Sequence, residues 1–457
     1  MPFPRNSLLL KAGAIVILAV LLLIPLGMIE GLIAERAGRR LEAVASVQAS
    51  FAGPQAVALP FFVWPYVEQW TERSVDANNR VHVTQLSESK QLVWFASETS
   101  ALTSATVNND RYRGIHRVRT FEAAITIDGT VTWPDRSQTK PAADRHIVWG
   151  EPRLVLPISD VRGLRGAPSV ALNGEAIAFR EGTQLSTLPA GLHATVTPTA
   201  AATTRFRIVV ELAGTERLAF SPTAAASTVT INSAWPDPHF GGRYLPRERT
   251  VSASGFSATW SVSALASDVQ QQIRELASSG RSEKGERSSR SSARLDTFDV
   301  DFIEAVNPYL LADRSTKHGV LIIVMVFGTL FMLDTMRSLN AHTIQYGFVG
   351  LALVIFFLLL VSLSEHVAFG LAYLIAATAC TVLITYYVGH VLADRGRALG
   401  FGVALALMYS AIYGILISEG TALLMGSALL FALLATAMIA TRRFDWRKLQ
   451  RTSPTHA

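Results

Sequence analysis

Apolar residues occur along this chain in two different arrangements. Uninterrupted apolar runs lie near both ends of the chain, and each is long enough to cross the roughly 30 Å of bilayer hydrocarbon as a helix. The middle of the chain instead alternates apolar and polar residues with a period of two, which is typical of strands with one buried face. The pattern therefore predicts an α+β membrane protein with a large, mainly antiparallel β domain between its membrane helices.

Candidate membrane spans follow from run length, because a span needs about 20 mainly apolar residues. The first window is longer than the apolar part of a usual signal peptide, and Glu35 and Arg36 follow it instead of a small-residue cleavage site. We interpret it as an uncleaved anchor and the other windows as a five-helix carboxy-terminal bundle. The six windows are about 12–33, 318–334, 343–363, 366–389, 399–417 and 421–441.

The remaining segments differ from the spans in composition. In a Ser/Arg-rich stretch at 278–294, residues 278–292 have no apolar side chain to bury, which is typical of a linker or mobile loop. The predicted parts are the amino terminus and first span at 1–33, a β-rich domain of one or two subdomains at 34–277, the linker at 278–294, a junction at 295–317, the bundle at 318–441 and a basic tail at 442–457.

Turn signals divide the β-rich domain into short strands. Asp128-Gly129 and Asn173-Gly174 each stand between alternating segments, so both predict two-residue β-hairpin turns. Pro65 is expected at a strand end or edge, because proline cannot donate to a ladder. Further strands are predicted at 206–212, 229–231 and 256–262, and a helix capped by Ser267 at 267–276.

Positive residues around the short loops predict the orientation of the chain in the membrane. Lysine and arginine concentrate on the side of a membrane that faces the cytoplasm. The pattern predicts cytoplasmic termini and a β domain on the other side of the membrane. The basic residues that support this are Arg5, Lys11, Arg337, Arg395, Arg397, Arg442, Arg443, Arg447, Lys448 and Arg451.

The formal net charge of +6 gives no reason to expect nucleic-acid binding, because much of the positive excess lies in these predicted cytoplasmic flanks. The sequence carries no common catalytic or nucleotide-binding motif, so we expect neither an enzyme nor a bound cofactor. A metal site is also disfavoured, because the histidines of the β domain occur singly without ligand spacing. These histidines are His82, His116, His146, His193 and His239.

Six ionisable residues lie within or beside the predicted spans, where an unpaired charge is costly. One interpretation makes all of them solvated residues at the membrane interface. A second has Glu365 and Glu419 pair with Arg314 or Lys317 and fasten the domain to the bundle. A third makes some of them part of a substrate or proton path. The six are Asp334, His342, Glu365, His366, His390 and Glu419.

Several motifs, in order along nearly the whole chain, resemble the CreD family of inner-membrane proteins. In the predicted membrane region they are Asp313–Gly319, His342–Tyr346, which contains Gln345, Ser362–His366, Ser418–Glu419 and Thr441–Trp446. In the predicted β domain they are Ser159–Leu164, Ser233–Pro238 and Gly255–Trp260.

The resemblance implies a multi-pass protein of the bacterial inner membrane that is linked to cell-envelope integrity, colicin tolerance and the response to β-lactam stress. It supplies no known reaction and no catalytic residues. We therefore expect binding or scaffolding of a periplasmic or cell-wall partner through the β domain. The alternative is transport or lipid handling through the bundle, with the membrane-edge glutamates and histidines as working groups.

Overall fold

The computed structural model describes residues 5–75, 81–136, 139–198, 203–279, 295–302, 308–337, 341–392, 394–418, 424–428, 431, 435 and 438. The chain divides into two compact units. Met1–Leu41 and Val306–Ala457 form one, called here the helical unit, and Glu42–Ala305 form the other, called the sheet unit.

The first helix, α1, runs without interruption over Arg5–Ser50 and contributes residues to both units. Its 46 residues correspond to about 70 Å of helix, roughly twice the thickness of bilayer hydrocarbon. The predicted span at 12–33 is therefore the first part of a longer helix. Hydropathy could not reveal the second part, because the residues after Ile33 are mostly polar or small.

The sheet unit contains strands that follow each other through most of its length, and a helix, α2, near its end. The described strands are β1 Gln55–Ala58, β2 Phe61–Val75, β3 Val81–Phe95, β4 Glu98–Arg113, β5 His116–Thr132, β6 His146–Trp149, β7 Arg153–Pro157, β8 Leu164–Leu172, β9 Glu175–Ile177, β10 Arg180–Glu181, β11 Gly191–Thr195, β12 Thr203–Thr215, β13 Arg217–Ser221, β14 Ala226–Ser233, β15 His239–Gly242, β16 Glu248–Ser252, β17 Gly255–Ser263 and β18 Phe298–Asp301. Helix α2 is Val269–Ser279.

These strands form a four-stranded sheet in the order β1-β13-β18-β15 and a six-stranded sheet in the order β10-β11-β7-β2-β3, with β6 beside β2. An eight-stranded sheet has the order β16-β17-β14-β4-β5-β12-β8-β9. Among the described strands, neighbours are antiparallel except in the parallel pairs β1–β13 and β4–β14. The structure thus has the large sheet-rich domain that the alternating pattern predicts.

The alternation along β12 explains how the eight-stranded sheet packs. Phe206, Ile208 and Val210 are buried, while Arg205, Arg207 and the other residues between them are exposed. The buried face packs into a core that all three sheets share. The other face is exposed to solvent, as expected for an antiparallel sheet that is covered on one side.

Two sequence predictions about turns have different outcomes. The hairpin at Asn173-Gly174 is confirmed: β8 and β9 pair with Leu172 opposite Glu175, and both turn residues have positive φ angles of 50° and 92°. The hairpin at Asp128-Gly129 is wrong, because both residues lie inside β5. A Cβ atom on Gly129 would lie 2.3 Å from Cζ of Phe206. The glycine therefore makes room for a neighbouring ring and does not form a turn.

The position predicted for Pro65 is also wrong, because this residue lies within β2, a strand with neighbours on both sides. Proline has no N–H to donate, and Pro65 lies at the point where the strand beside β2 changes from β7 to β6. β7 pairs with β2 as far as Val63, and β6 begins to pair at Tyr66. No ladder hydrogen bond is lost at this junction, and Gly150 N–H donates to the Pro65 carbonyl at 2.9 Å.

The other local predictions for the sheet unit agree with the structure. The strands expected at 206–212, 229–231 and 256–262 lie within β12, β14 and β17. The predicted helix is α2, which begins two residues later than Ser267. Ser267 Oγ accepts a hydrogen bond from the Val269 N–H at 3.3 Å, so this residue caps the helix as expected.

The helical unit contains, after the first part of α1, the helices α3 Pro308–Lys317, α4 Gly319–Arg337, α5 Thr343–Ser364, α6 Phe369–Leu392 and α7 Arg395–Ile417. Within the described part of the chain, four helices are long and apolar enough to cross a membrane. The count rises to five if α3 and α4, which meet at a bend of 41°, form one span. The predicted span at 421–441 lies mostly outside the described residues, as do most of the linker at 278–294 and all of the tail at 442–457.

Close packing of α1 against α5 explains one glycine of the helical unit. A Cβ atom on Gly350 would lie 2.2 Å from Cδ1 of Leu22, so a larger residue would push the two helices apart. Small residues allow this kind of close approach between membrane helices. The anchor helix is therefore an integral part of the helical core, which includes Leu22, Leu26 and Ile29.

Candidate functional site

Two buried carboxylates lie at opposite ends of α5 in the helical unit. At one end, Asp334 is 6% exposed and forms an ion pair with Lys11 of α1. The Tyr346 hydroxyl and the Ala341 N–H each donate a hydrogen bond of 3.2 Å to the Asp334 carboxylate. We call these four residues the Asp334 cluster. Its carboxylate thus has a cation and two neutral donors, which is what a buried charge requires.

Two neighbouring residues fix the start of α5 beside this cluster. The Ile344 N–H donates to His342 Nδ1 at 3.3 Å, and the His342 N–H donates to Gln345 Oε1 at 3.1 Å. This reciprocal arrangement is a capping box, with histidine in the place of the usual serine or threonine. His342 and Gln345 therefore position the first turn of α5, and with it Tyr346.

At the other end of α5, Glu365 has 9% of its side chain exposed. Its carboxylate lies 3.6 Å from the Arg36 guanidinium of α1 and accepts a hydrogen bond of 3.1 Å from the Tyr309 hydroxyl of α3. We call these three residues the Glu365 cluster. The cluster joins three helices that are distant in sequence.

The predicted partners of Glu365 were wrong. Among the described residues its cation is Arg36, whereas Lys317 pairs with Asp313 one helical turn away in α3, at 2.8 Å. Arg314 is half-buried on the same helix. The positive charge of Lys317 is paired with a carboxylate on its own helix at spacing i, i+4, and this pairing does not require Glu365. Glu419 lies outside the described residues.

The interface interpretation fits some of the predicted residues and not others. His366 and His390 are exposed, and their Nδ1 atoms lie 3.1 Å and 3.0 Å from the carbonyl oxygens of Ser362 and Tyr386. Asp334 and Glu365 are instead largely buried and paired with cations. The interpretation of these two carboxylates as solvated residues is therefore wrong.

The spacing of the two clusters matches the thickness of a membrane. Lys11 and Arg36 are 25 positions apart on α1, or about 37 Å at the rise of an α-helix. Tyr346 and Glu365 are 19 positions apart along α5, or about 28 Å. The clusters thus hold α1 against its neighbours at both ends of a stretch as long as bilayer hydrocarbon is thick.

The carboxy-terminal end of α1 has a third polar attachment, within the sheet unit. The Arg162 guanidinium donates to the carbonyl oxygens of Ala49 at 2.7 Å and Gln48 at 3.3 Å, in the last turn of α1. A cation is favourable there because the carbonyls at a helix end are unpaired and carry the negative end of the dipole. The same guanidinium donates to Asp160 at 2.6 Å and 2.9 Å.

Asp160 connects this arginine to the first residues after α1. Its carboxylate also accepts the Gly53 N–H at 3.0 Å and the Arg162 N–H at 3.1 Å. The hydrogen-bonded Arg162 guanidinium, helped by these two N–H groups, holds the pKa of Asp160 below its usual range. We call Gln55, Asp160, Arg162 and Gly163 the α1 joint.

Gly163 permits the close approach on which the α1 joint depends. A Cβ atom there would lie 2.2 Å from the Ala213 carbonyl oxygen and 2.3 Å from Gln55 Nε2. Gln55 Nε2 donates to the carbonyl oxygens of Asp160 and Ala213, each at 3.0 Å. The motif Ser159–Leu164 therefore has a structural explanation as the attachment of α1 to the sheet unit.

The sheet unit also has an open cleft of about 280 Å³ between β2, β3 and the end of α2. Its lining includes Pro65, Val67, Ser89, Gln91 and Thr187. Gln91 Oε1 is buried with no hydrogen-bond partner among the described residues. This mixture of apolar surface and a buried acceptor can take a small neutral group that donates hydrogen bonds. In the described part of the chain, no three His, Cys, Asp or Glu residues are arranged to hold a metal ion.

Sequence reasoning found the carboxylates of both clusters but missed Lys11, Arg36 and Tyr309 as their partners. Lys11 and Arg36 are the nearest described basic residues on either side of the first apolar run, and that position is a usable signal. A basic residue at each end of an anchor helix is a candidate partner for acidic residues at the ends of other spans. Tyr309 gave no signal, because the helix that carries it was predicted as a junction.

The chain is similar to known proteins over nearly its whole length. Residues 7–447 match the family described as inner membrane protein CreD. The inner membrane protein CreD of Escherichia coli (strain K12) is 29% identical over 445 residues, which are 97% of this chain and 94% of that protein.

Solved structures give much weaker similarities. An M1 zinc metallopeptidase from Deinococcus radiodurans is 11% identical, with a TM-score of 0.20 over 36% of this chain and 38% of its own. A yeast LTA4 hydrolase in complex with bestatin is 7% identical, with a TM-score of 0.23 over 51% of this chain and 34% of its own. These TM-scores are too low to show a shared fold. The match at residues 7–447, together with the apolar helices described above, is the informative one. The chain therefore belongs to the CreD family of inner membrane proteins.

Proposed function

We propose that the protein contributes to cell-envelope integrity and to tolerance of β-lactam and colicin stress as a scaffold that performs no reaction itself. One observation carries this proposal: α1 is a single helix whose polar attachments lie at both ends of its membrane-length stretch and at its carboxy-terminal end. In each attachment, polar groups of α1 form ion pairs or hydrogen bonds with polar groups of other elements. Such mutually satisfied contacts favour a rigid α1 over a mobile one. A rigid anchor suits a domain that must be held at the membrane while it binds a partner.

In this proposal the sheet unit is periplasmic and both termini are cytoplasmic. The support comes from the basic residues beside the spans, since they are enriched on the cytoplasmic side of bacterial membranes. A reporter that is active only in the periplasm should be inactive when fused after Ala457 and active when inserted at Leu265, which is fully exposed in the sheet unit. Activity of the fusion after Ala457 would contradict the orientation.

The partner of the scaffold is proposed to be a periplasmic or cell-wall component that the sheet unit binds. The cleft beside Gln91 is the described feature that best supports binding, because a buried acceptor without a partner favours a ligand that can donate to it. Its size suits a single small group, such as one sugar ring or one side chain of a larger polymer.

Complementation of a deletion strain tests the scaffold directly. Under detergent, β-lactam and colicin challenge, we expect Glu365→Gln to keep tolerance wherever it reaches normal membrane levels. A chain that lacks Gln55–Asp301 should lose tolerance although its membrane helices remain. Glu35→Gln is the matched control, because Glu35 is on the same helix as Arg36 but 54% of its side chain is exposed. Full tolerance without the sheet unit would rule out the scaffold.

Transport or lipid handling through the helical unit is the second candidate. It is favoured by the bend of 41° between α3 and α4, since broken helices often line sites in transporters. The Glu365 cluster includes Tyr309 of α3, and Ser315 of the same helix has a buried hydroxyl without a partner among the described residues. If Glu365→Gln fails in the same assay at normal membrane levels while Glu35→Gln succeeds, this second function is favoured.

A further inference from the structure

The hairpin of β4 and β5 extends beyond the eight-stranded sheet. β14 pairs with β4 as far as Ala105, and β12 pairs with β5 from Thr120 onward. Between these points, residues 108–119 form a two-stranded ribbon that pairs with itself alone among the described strands. We call this ribbon the hairpin tip. It extends about 20 Å from the body of the sheet, given the rise per residue of a strand.

The hairpin tip is basic along its sides and apolar at its end. The hairpin tip contains four arginines and one acidic residue, Asp110, and three of the arginines are exposed while Arg119 is buried. The four are Arg111, Arg113, Arg117 and Arg119. Tyr112 is 51% exposed and Ile115 is 52% exposed beside the turn. Gly114 has a φ of 58°, which allows the tight turn that brings these residues to the end of the ribbon.

One face of the hairpin tip packs against the end of α1 within the sheet unit. Val118 is fully buried in a cluster with Val44 and Val47. The Arg111 guanidinium lies 4.1 Å from the centre of the Phe51 ring. The Arg113 guanidinium donates to Ser50 Oγ at 3.3 Å. These contacts hold the ribbon in a defined position beside the helix.

Further contacts place the base of the hairpin tip beside the end of α1. At the end of the sheet, the Thr215 hydroxyl donates to the carbonyl oxygen of Ala52 at 2.6 Å, and Thr215 pairs with Thr120 of β5. Val118, two residues farther out on β5, packs against earlier residues of α1, including Val44. The ribbon therefore lies beside the carboxy-terminal part of α1, a helix that is itself a candidate span.

The opposite face of the hairpin tip is open to solvent and pairs a cation with an aromatic ring. Arg117 Nε donates to the Tyr112 hydroxyl at 3.0 Å, and its guanidinium lies 5.4 Å from the centre of the Tyr112 ring. Both side chains are exposed. Exposed tyrosine next to arginine is the composition that membrane–water interfaces favour, because the ring suits the headgroup layer and the cation binds phosphate.

We propose that the hairpin tip binds an anionic phospholipid surface. Ile115 and Tyr112 enter the headgroup layer, while Arg117 lies beside lipid phosphates. Two features favour this partner over a soluble polyanion. An exposed isoleucine at the apex adds affinity for an apolar phase but none for a dissolved polymer, and α1, against which the tip packs, is itself a candidate membrane helix.

Depth-dependent fluorescence quenching tests the proposal on the full chain. The Cys380→Ala background removes the single cysteine, and Ile115→Cys then takes an environment-sensitive fluorophore. After reconstitution into vesicles that contain phosphatidylglycerol and headgroup-level spin-labelled lipid, we expect strong quenching. Arg117→Gln should weaken it, because an arginine at an anionic surface strengthens binding roughly fivefold.

The same fluorophore at Leu245→Cys is the control, since Leu245 is an exposed leucine of the sheet unit outside the hairpin tip. It should be quenched little in any vesicle. Vesicles of phosphatidylcholine alone should give weak quenching at Ile115→Cys. The proposal is overturned if Ile115→Cys is unquenched in phosphatidylglycerol vesicles, if it is quenched equally in phosphatidylcholine, or if Arg117→Gln leaves the quenching unchanged.

Discussion

Lys11→Met should lower the free energy of unfolding of the protein by about 3–5 kcal/mol, because it removes one partner of a buried ion pair and leaves the other charged. Asp334 would keep its hydrogen bonds from Ala341 and Tyr346 but lose its cation at a site where it is 6% exposed. The methionine retains the length and packing of the lysine stem. The measurement is the midpoint of unfolding of the purified full chain as dodecyl sulfate is titrated into a mild detergent.

A second substitution separates the charge from the packing at this site. Asp334→Asn in the Lys11→Met background removes the unpaired charge and keeps an oxygen that can accept from Tyr346. We expect this double variant to recover most of the lost stability, since neutralising both partners of a buried pair is often nearly neutral. A double variant as unstable as Lys11→Met would mean that the Lys11 stem, and not the ion pair, stabilises the helices.

Gly163→Ala should destabilise the sheet unit by about 3 kcal/mol, although it adds a single methyl group. The new Cβ would lie 2.2 Å from the Ala213 carbonyl oxygen and 2.3 Å from Gln55 Nε2. It would therefore displace the amide that donates to both Asp160 and Ala213. At this domain size the unfolding temperature should fall by roughly 6–12 °C.

Tryptophan fluorescence can follow this change, since Trp64, Trp94 and Trp260 are buried in the sheet unit. The matched control is Gly38→Ala, which lies within α1 and has no atom within 4 Å of its would-be Cβ. The control should leave the unfolding temperature unchanged or raise it slightly, because alanine favours helix over glycine. Equal effects of the two substitutions would contradict the role assigned to Gly163.

The sequence predicts the membrane helices and most strands because their signals are local. The run length that marks α5 and the alternation along β12 both lie within about 20 consecutive residues. The failures at Asp128-Gly129 and Pro65 come from distant residues. Gly129 accommodates the Phe206 ring, but in the sequence it cannot be told from a glycine that forms a turn. Pro65 lies where the strand beside β2 changes, but in the sequence it cannot be told from a proline at a sheet edge.

The candidate site was predictable in part for the same reason. Asp334 and Glu365 are visible as acidic residues beside apolar runs, but the basic residues that pair with them lie more than 300 positions earlier in the chain. Local spacing made Arg314 and Lys317 the natural partners, and Lys317 instead binds Asp313 on its own helix. The Asp160–Arg162 pair belongs to the motif Ser159–Leu164, which resembles the CreD family. Its attachment to α1 is visible in the tertiary structure alone.

The four-stranded sheet has a topological consequence, because its strand β13 lies between β1 and β18. β1 is the first described strand after α1, and β18 is the last before α3. Gln55 and Val300 both lie opposite Leu218, so β1 and β18 are about two strand spacings, or roughly 10 Å, apart. The sheet unit is thus an insertion between two membrane helices. The four-stranded sheet joins strands that are far apart in the sequence, so the sheet unit has a high contact order. The sheet that contains β1 can be completed only after β18 has been synthesised.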